Sequence, residues 1–552
     1  MHASFRSSAA AQPQQHVWSG VLPACLLTIS GLAQAQVRDL SGYWLGEIGS
    51  AREKVVIGLQ LQADANDRYD MQLDLPMAHL QRLPLHGKAD FNNNVLAQRS
   101  LHMALRLQGG QLAGSLLGDG EQVSLRRASR DQLPAAAAAP VNMKALPAPR
   151  WSTRLGGQIF ASPTTHDGIA YIGTTAGAVS ALKLDDGAVL WTTATGYPVY
   201  ASALVTNDAV FVTSDGGYLH RLDRHTGREQ WRSSIQASQT SREPPQPQLA
   251  AWEWQAPRPL LIDGDLYVGG ADGSVQALDA ENGAMRWKTQ LADRIQHSPS
   301  SDGRSLFLTT EAGVVQALRL RDGKPAWQYR MASRPGAAPT VHEGRVFAND
   351  RSGVLHAIDA TAGRPLWRTQ FWTSWIESEP AFDGDMLYIG SSDLRKVSAI
   401  DTRNGHVHWR SDVGGWSWGT PLPVQEYLIV GMAAGKPYFL EHTAGVGLLD
   451  RRDGRLLARY EMPAGHGFQW GIAGSLATDG TMLVAADIEG VLMGFALDAM
   501  IPAHNDAATL PKHTSPQPLS DLPSSPVDRS HHNRVRTTMR LHASRHFNED
   551  SR

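Results

Sequence analysis

Residues 265–287 read DLYVGGADGSVQALDAENGAMRW, and their pattern decides the fold. Leu266, Tyr267 and Val268 are β-rich, Ala271-Asp272-Gly273 is a turn, and Ser274 to Asp279 alternates. Asn282-Gly283 then turns the chain into a third strand ending at Trp287. Gly in a tight hairpin supplies the positive φ that other residues adopt only with strain.

The same order of strand, Gly turn, strand, Gly turn and Trp recurs at Ile169 to Trp191, Val210 to Trp231, Ser305 to Trp327, Arg345 to Trp367 and Met386 to Trp409. Trp151, Trp191 and Trp231 are 40 residues apart, as are Trp287, Trp327 and Trp367, with Trp409 following after 42. A fixed all-β period of this size predicts propeller blades. Eight outer-strand positions can be counted, Tyr460 taking the last. The strands near 481–485 and 491–495 lack an outer partner of their own, and Arg150 to Arg154 is predicted to supply it, closing an eight-bladed ring from the N-terminal side.

Outside the ring, spanning 148–500, four further regions are expected. Residues 1–35 read as an export signal: Arg6, an apolar run from Val17 to Leu32, then Ala33-Gln34-Ala35 as cleavage site. Cys25, the single cysteine, lies inside it, either as a bystander or as a lipid acceptor after Leu22-Pro23-Ala24; the proline and the apolar run continuing past it favour the bystander. Residues 37–130 read as a small antiparallel β-barrel or sandwich, with strands near 43–46, 55–61, 69–75, 101–107, 112–117 and 123–125. Residues 131–147 form an Ala/Pro linker, and 501–552 have too little apolar surface to order themselves. A net charge of −2 offers no field for nucleic acid, and no stretch after the signal is long and apolar enough for a membrane span. The expected location is periplasmic or otherwise extracytoplasmic.

The unit A-L-D-x-x-x-G-x-x-x-W, seen at Ala277-Leu278-Asp279 through Gly283 to Trp287, resembles the repeat of the pyrroloquinoline-quinone-type propellers. Residues 42–46 with Asp74 to Pro76 similarly resemble a small β domain that precedes catalytic domains in some exported bacterial hydrolases. The propeller resemblance implies one of two functions. Quinoprotein dehydrogenases hold the quinone and Ca²⁺ on the ring axis and act on alcohols or sugars; BamB-like members of the bacterial envelope dock partner proteins without catalysis. The dehydrogenase class calls for a pair of adjacent cysteines, which this chain lacks, and for clustered carboxylates, whereas Asp279, Asp359 and Asp401 occupy turn positions where the side chain bonds its own backbone. No G-x-S-x-G elbow with a partner, H-E-x-x-H or P-loop is present. The expectation is a non-enzymatic binding or scaffold protein without cofactor or metal, its partner a protein or small ligand of the envelope, with a role in outer-membrane protein assembly implied by the resemblance alone.

The binding site is expected at one mouth of the channel. In each unit the innermost strand begins near Ser162-Pro163, Ser298-Pro299, Ala338-Pro339, Thr420-Pro421 or an equivalent. The residues just before gather Phe160, Tyr200, His297, Trp375, Trp416, Trp418 and Trp470, joined by Trp372 and by Trp252 and Trp254 from the long 56-residue interval between Trp231 and Trp287. Buried aromatic anchors dominate binding energy, so the group reads as a peptide or small-ligand site; the competing reading is a funnel plug. On the first reading Trp416 and Trp470 can be truncated without loss of folding.

Overall fold

A computed structural model describes residues 39–50, 53–76, 80–98, 103–115, 122–134, 143–237, 239–240, 242, 254–371, 374–435 and 442–501. The signal, with Cys25, the C-terminal tail and the tryptophans at 252 and 372 lie outside the described residues. Everything below belongs to the compact unit that begins at Ser41.

The first part is a closed barrel of eight antiparallel strands in sequential order: β1 (Gly42–Ser50), β2 (Glu53–Ala63), β3 (Arg68–Leu75), β4 (Leu80–Asn92), β5 (Val95–Gln98), β6 (Met103–Gln108), β7 (Gln111–Ser115) and β8 (Gln122–Ala128). Closure removes both sheet edges. Directly paired residues share a face, so Trp44, Gly46 and Ile48 point to the same side as Leu59, Ile57 and Val55 and fill the interior. On the opposite face Tyr43 lies over Gly58 and donates its hydroxyl proton to Asp74 at 2.6 Å. Asp74, 3 % exposed, also takes two parallel hydrogen bonds of 2.9 Å from Arg130 and one of 2.6 Å from the backbone N–H of Arg82. Burial alone would raise the Asp74 pKa, but these donors outweigh it and hold the carboxyl below its ordinary value. The 3₁₀ turn Arg130–Gln132, through which the chain leaves the barrel, is thereby pinned to the wall.

The second part is the eight-bladed propeller. Seven blades are built from consecutive strands, as in blade three with Leu260–Ile262, Asp265–Gly269, Ser274–Asp279 and Met285–Gln290 from the axis outward. Two more strands precede the first blade: β9 (Lys144–Ala145) and β10 (Trp151–Arg154). As the sequence predicts, β10 completes blade eight, pairing antiparallel with Val491–Ala496. Short β9 was not foreseen: it pairs in parallel with the outer strand of blade seven, Ala458 opposite Lys144 and Arg459 opposite Ala145. Leu146 follows into a core shared by blades seven and eight.

Neighbouring blades interlock through their outer-strand tryptophans. Each indole N–H, from Trp151 to Leu184 through to Trp409 to Arg451, donates to a carbonyl in the outer turn of the next blade, at 2.5–3.2 Å. The same turn presents a positive-φ glycine to the ring. A Cβ on Gly187 would stand 2.4 Å from Trp151, and one on Gly363 2.7 Å from Trp327. Asp279, Asp359 and Asp401 do what their turn positions predict: the Oδ1 of Asp279 accepts from the N–H of Glu281 and Asn282, and Asp359 and Asp401 repeat the pattern. Tyr460 departs from this scheme. Blade eight borrows its outer strand and so offers no outer turn, and Tyr460 instead meets Phe495 edge-on at 5.3 Å.

No helix among the described residues is long and apolar enough to cross a membrane.

Candidate functional site

The positions that meet on the ring axis are set by the repeat. The residue three before each innermost-strand proline, or its equivalent, points to the channel: Trp418, Ala473, Phe160 and Tyr200 from blades seven, eight, one and two, then Ala256, Gln296 and Glu377 from blades three, four and six. Together with the following residues they enclose a cavity of about 480 Å³. The position just before the proline forms a belt of hydroxyls stitching one blade to the next. The N–H of Thr420 donates to Ser475, that of Ser475 to Ser162, that of Ser162 to Ser202, and that of Arg258 to Ser298. Blades three, five and six depart from the belt by carrying Arg258, Ala338 and Glu379.

The aromatic half is a continuous stack. Phe160 lies 5.7 Å from Tyr200 and 6.2 Å from Trp254; Trp254 lies 6.0 Å from Trp418, and Trp418 4.9 Å from Trp416. Offset stacks of this spacing add to the energy of burial. Arg242 and Gln255 are both fastened to the ring beside Trp254. Arg242 grips Asp215 with two bonds of 2.6 and 2.8 Å, donates to the Gln255 carbonyl at 2.9 Å and lies 4.0 Å over the Tyr200 ring. Beyond Trp254, the Gln255 amide donates to the Gly336 carbonyl at 2.7 Å while its oxygen meets His297 Nε2 at 2.6 Å.

The other half is polar. His297 is 4 % exposed, and its Nδ1 finds no hydrogen-bond partner among the described residues; the same holds for Trp254 Nε1. Burial, reinforced by the charges of Arg351 and Arg334, pushes the His297 imidazole down to about 3, so it is neutral at physiological pH. Glu377 pairs with Arg351 at 3.1 Å. Burial raises the Glu379 pKa, with Arg258 pulling the other way.

The structure therefore brings Phe160, Tyr200, Trp254, Trp418 and His297 to one cavity. Trp416 backs Trp418 and is 1 % exposed, a packing position. Two of the grouped residues fall elsewhere. Trp375 stands five before its proline, one step off the axis, under the Arg351 guanidinium at 4.6 Å, while Glu377 takes the axial place. Trp470 belongs to a separate cluster with Ala434 and Ala444, because Gln469–Gly471 pairs with an extension of the neighbouring strand Tyr427–Gly435. Glu379, Arg258 and Gln296 were not singled out from sequence; the signal for the first two was the break in the Ser-Pro pattern, and for Gln296 its place three residues before Pro299.

A quinone with Ca²⁺ on this axis would need clustered oxygen donors for the cation. The carboxylates that reach the cavity are Glu377, engaged by Arg351, and Glu379, shifted toward its neutral form. No group of three or more His, Cys, Asp or Glu among the described residues is placed to hold a metal ion. The axial residues do not fit that centre.

Comparison with known proteins agrees with the blade geometry. The family model described as "Outer membrane protein assembly factor BamB" matches residues 145–251, 217–339 and 313–485. Proteins of that name from Legionella pneumophila (strain Paris) and Yersinia pestis are 28% and 27% identical over 152 and 146 residues, 28% and 26% of this chain. The chain spans 35% and 36% of their lengths, about a third of each. The crystal structure of BamB from Moraxella catarrhalis, 20% identical, covers 64% of this chain and 97% of its own, with a TM-score of 0.48. With its family model matched along the ring from 145 to 485, more than half of the sequence, the chain belongs to the family of the outer membrane protein assembly factor BamB.

Proposed function

We propose that this protein is a non-enzymatic scaffold of the bacterial cell envelope that docks a protein partner during outer-membrane protein assembly. The observation that carries this reading is the family match along the whole repeat, from 145 to 485. The interlocked blades support it, since a rigid ring presents its loops with little ordering cost on binding. The apolar run and Ala33-Gln34-Ala35 site support export to the periplasm. The test is deletion of the gene in the source organism. The abundance of β-barrel proteins in outer-membrane fractions is expected to fall severalfold and to recover on complementation; unchanged abundance overturns the reading.

A second reading concerns a small ligand. The cavity on the axis, with an aromatic half and two buried polar atoms lacking partners, favours it. The quinoprotein alternative is weakened by the axial donor set. Incubation with the quinone and Ca²⁺, followed by a dye-linked assay over alcohols and aldoses, is expected to give neither stoichiometric binding nor turnover.

A further inference from the structure

The axial cavity has two unlike halves. Blades seven, eight, one and two are contiguous around the ring, and their axial residues are Trp418, Ala473, Phe160 and Tyr200, with Trp254 laid across them. On the opposite side blade four presents Gln296 and His297 and blade six Glu377 and Glu379, with Ala256 and Arg258 of blade three and Ala337 and Ala338 of blade five between them. A ligand filling this space meets aromatic surface on one side and hydrogen-bonding groups on the other. Its volume of about 480 Å³ lies within the range of small-molecule sites.

The polar half is nearly neutral in its demands. His297 carries no charge, Glu377 is satisfied by Arg351, and Glu379 is partly offset by Arg258. The Trp254 indole N–H, a donor, is buried without a partner among the described residues, and the neighbouring His297 imidazole is held by the Gln255 side chain at 2.6 Å. Leaving such a donor unpaired is costly, so the cavity favours a ligand that brings hydrogen-bond acceptors to it. A strongly charged ligand would lose its hydration here, with Glu377 already held by Arg351 and only Arg258 and Glu379 left to face it.

We propose that the axial cavity binds a short neutral saccharide, one C–H face of a sugar ring against Trp254 and its hydroxyls toward Gln296, His297 and Glu379. A pyranose matches both halves: its axial C–H groups form an apolar face, and its rim carries hydroxyls that donate and accept. The proposal builds on the small-ligand reading of the cavity and not on the assembly role.

The test uses the exported full-length protein and a panel of cellobiose, maltose and N,N′-diacetylchitobiose, with trialanine and the free quinone as competitors of other classes. Binding is read by isothermal titration calorimetry and by quenching of tryptophan fluorescence. At least one saccharide is expected to bind with one-to-one stoichiometry. Trp254→Ala should weaken it at least about tenfold, as loss of an aromatic anchor does, and Glu379→Ala should weaken it without altering thermal unfolding. Two variants are used because Trp254→Ala also removes a member of the aromatic stack. If none of the saccharides binds, or if both variants bind as the parent does, the proposal is overturned. Binding of trialanine or the quinone with no saccharide bound would uphold a ligand site on the axis and overturn the saccharide.

Discussion

Trp287 covers the backbone of Gly323 in the next blade so closely that a Cβ there would stand 2.5 Å from the indole, while the same indole donates its N–H to Leu320 at 3.0 Å. Thr289 closes the contact by donating to the Gly323 carbonyl at 2.7 Å. Gly323 has φ of +67°, so alanine there meets backbone strain as well as the ring. Gly323→Ala should therefore cost about 2–4 kcal/mol and Trp287→Ala about 3 kcal/mol. Removing the indole relieves the methyl, so the double variant should lose clearly less than the sum. Chemical denaturation of the four proteins measures this; strict additivity would show that the two residues do not share one contact.

The joint between blades seven and eight lacks this hook and leans on the linker. Leu146 is 7 % exposed in the core shared by Tyr427, Phe495 and Met500. Leu146→Ala is expected to cost about 2–3 kcal/mol. Lys144→Ala, on an exposed side chain, should be close to neutral. Equal small effects from both would mean that the linker merely rests on the ring.

His297 gives the ring an acid sensitivity. Its folded pKa of about 3 lies below the ordinary imidazole value of 6.5, so the unfolded chain takes up the proton first. The contribution is fully present above 6.5 and is lost as pH falls from there toward 3, by on the order of 1.4 kcal/mol per pH unit at most. His297→Gln should flatten the fall in stability over that window. An unchanged pH profile would place the titration elsewhere.

Asp74 acts in a lower window. Its folded pKa is depressed, so its contribution is present above the ordinary carboxylate range and is lost as pH falls through the folded value. Asp74→Asn removes the charge that Arg130 grips and should destabilise the barrel by about 1–3 kcal/mol. Amide hydrogen exchange in β1, β2 and β3 is the readout, and protection equal to the parent would refute the latch.

Trp416 and Trp375 should separate sharply. Trp416 is buried within the axial stack, so Trp416→Ala is expected to cost about 3–5 kcal/mol, contrary to the expectation that it can be truncated freely. Trp375, partly exposed beneath Arg351, should cost about 1 kcal/mol. Thermal unfolding of the two variants decides it.

The ring was readable because every blade repeats the same local chemistry: the tryptophan spacing, the Asp that caps its own turn, and the unpaired outer position that Trp151 fills. Strands β4 and β5 were not readable. Residues 80–92 include Pro84, positive φ at Arg82 and Gly87, and a register against β3 that shifts twice, so no regular alternation survives. Strand β9 is two residues long in a proline-flanked segment and carries no signal of its own. For the channel, counting back from the proline identifies the axial residues, but only when the count is fixed. Phe160, Tyr200 and Trp418 stand at three; Trp375 stands at five, and Trp470 sits on a strand extension that the repeat does not contain.

Strand β10 has a consequence for the order of events during synthesis and export. Trp151 pairs with Gly494, so the first strand of the ring has no partner until the last blade has emerged. Blades one to six can assemble from neighbouring segments, blade seven adds only short β9 from far away, and the barrel closes on residues 42–128 alone. Ring closure is thus the long-range step, slowed by the entropy of joining distant chain ends, and a nascent chain carries an open strand edge for as long as its C-terminal blade is missing. Shortened chains ending before residue 491 would retain that edge permanently, which makes them aggregation-prone.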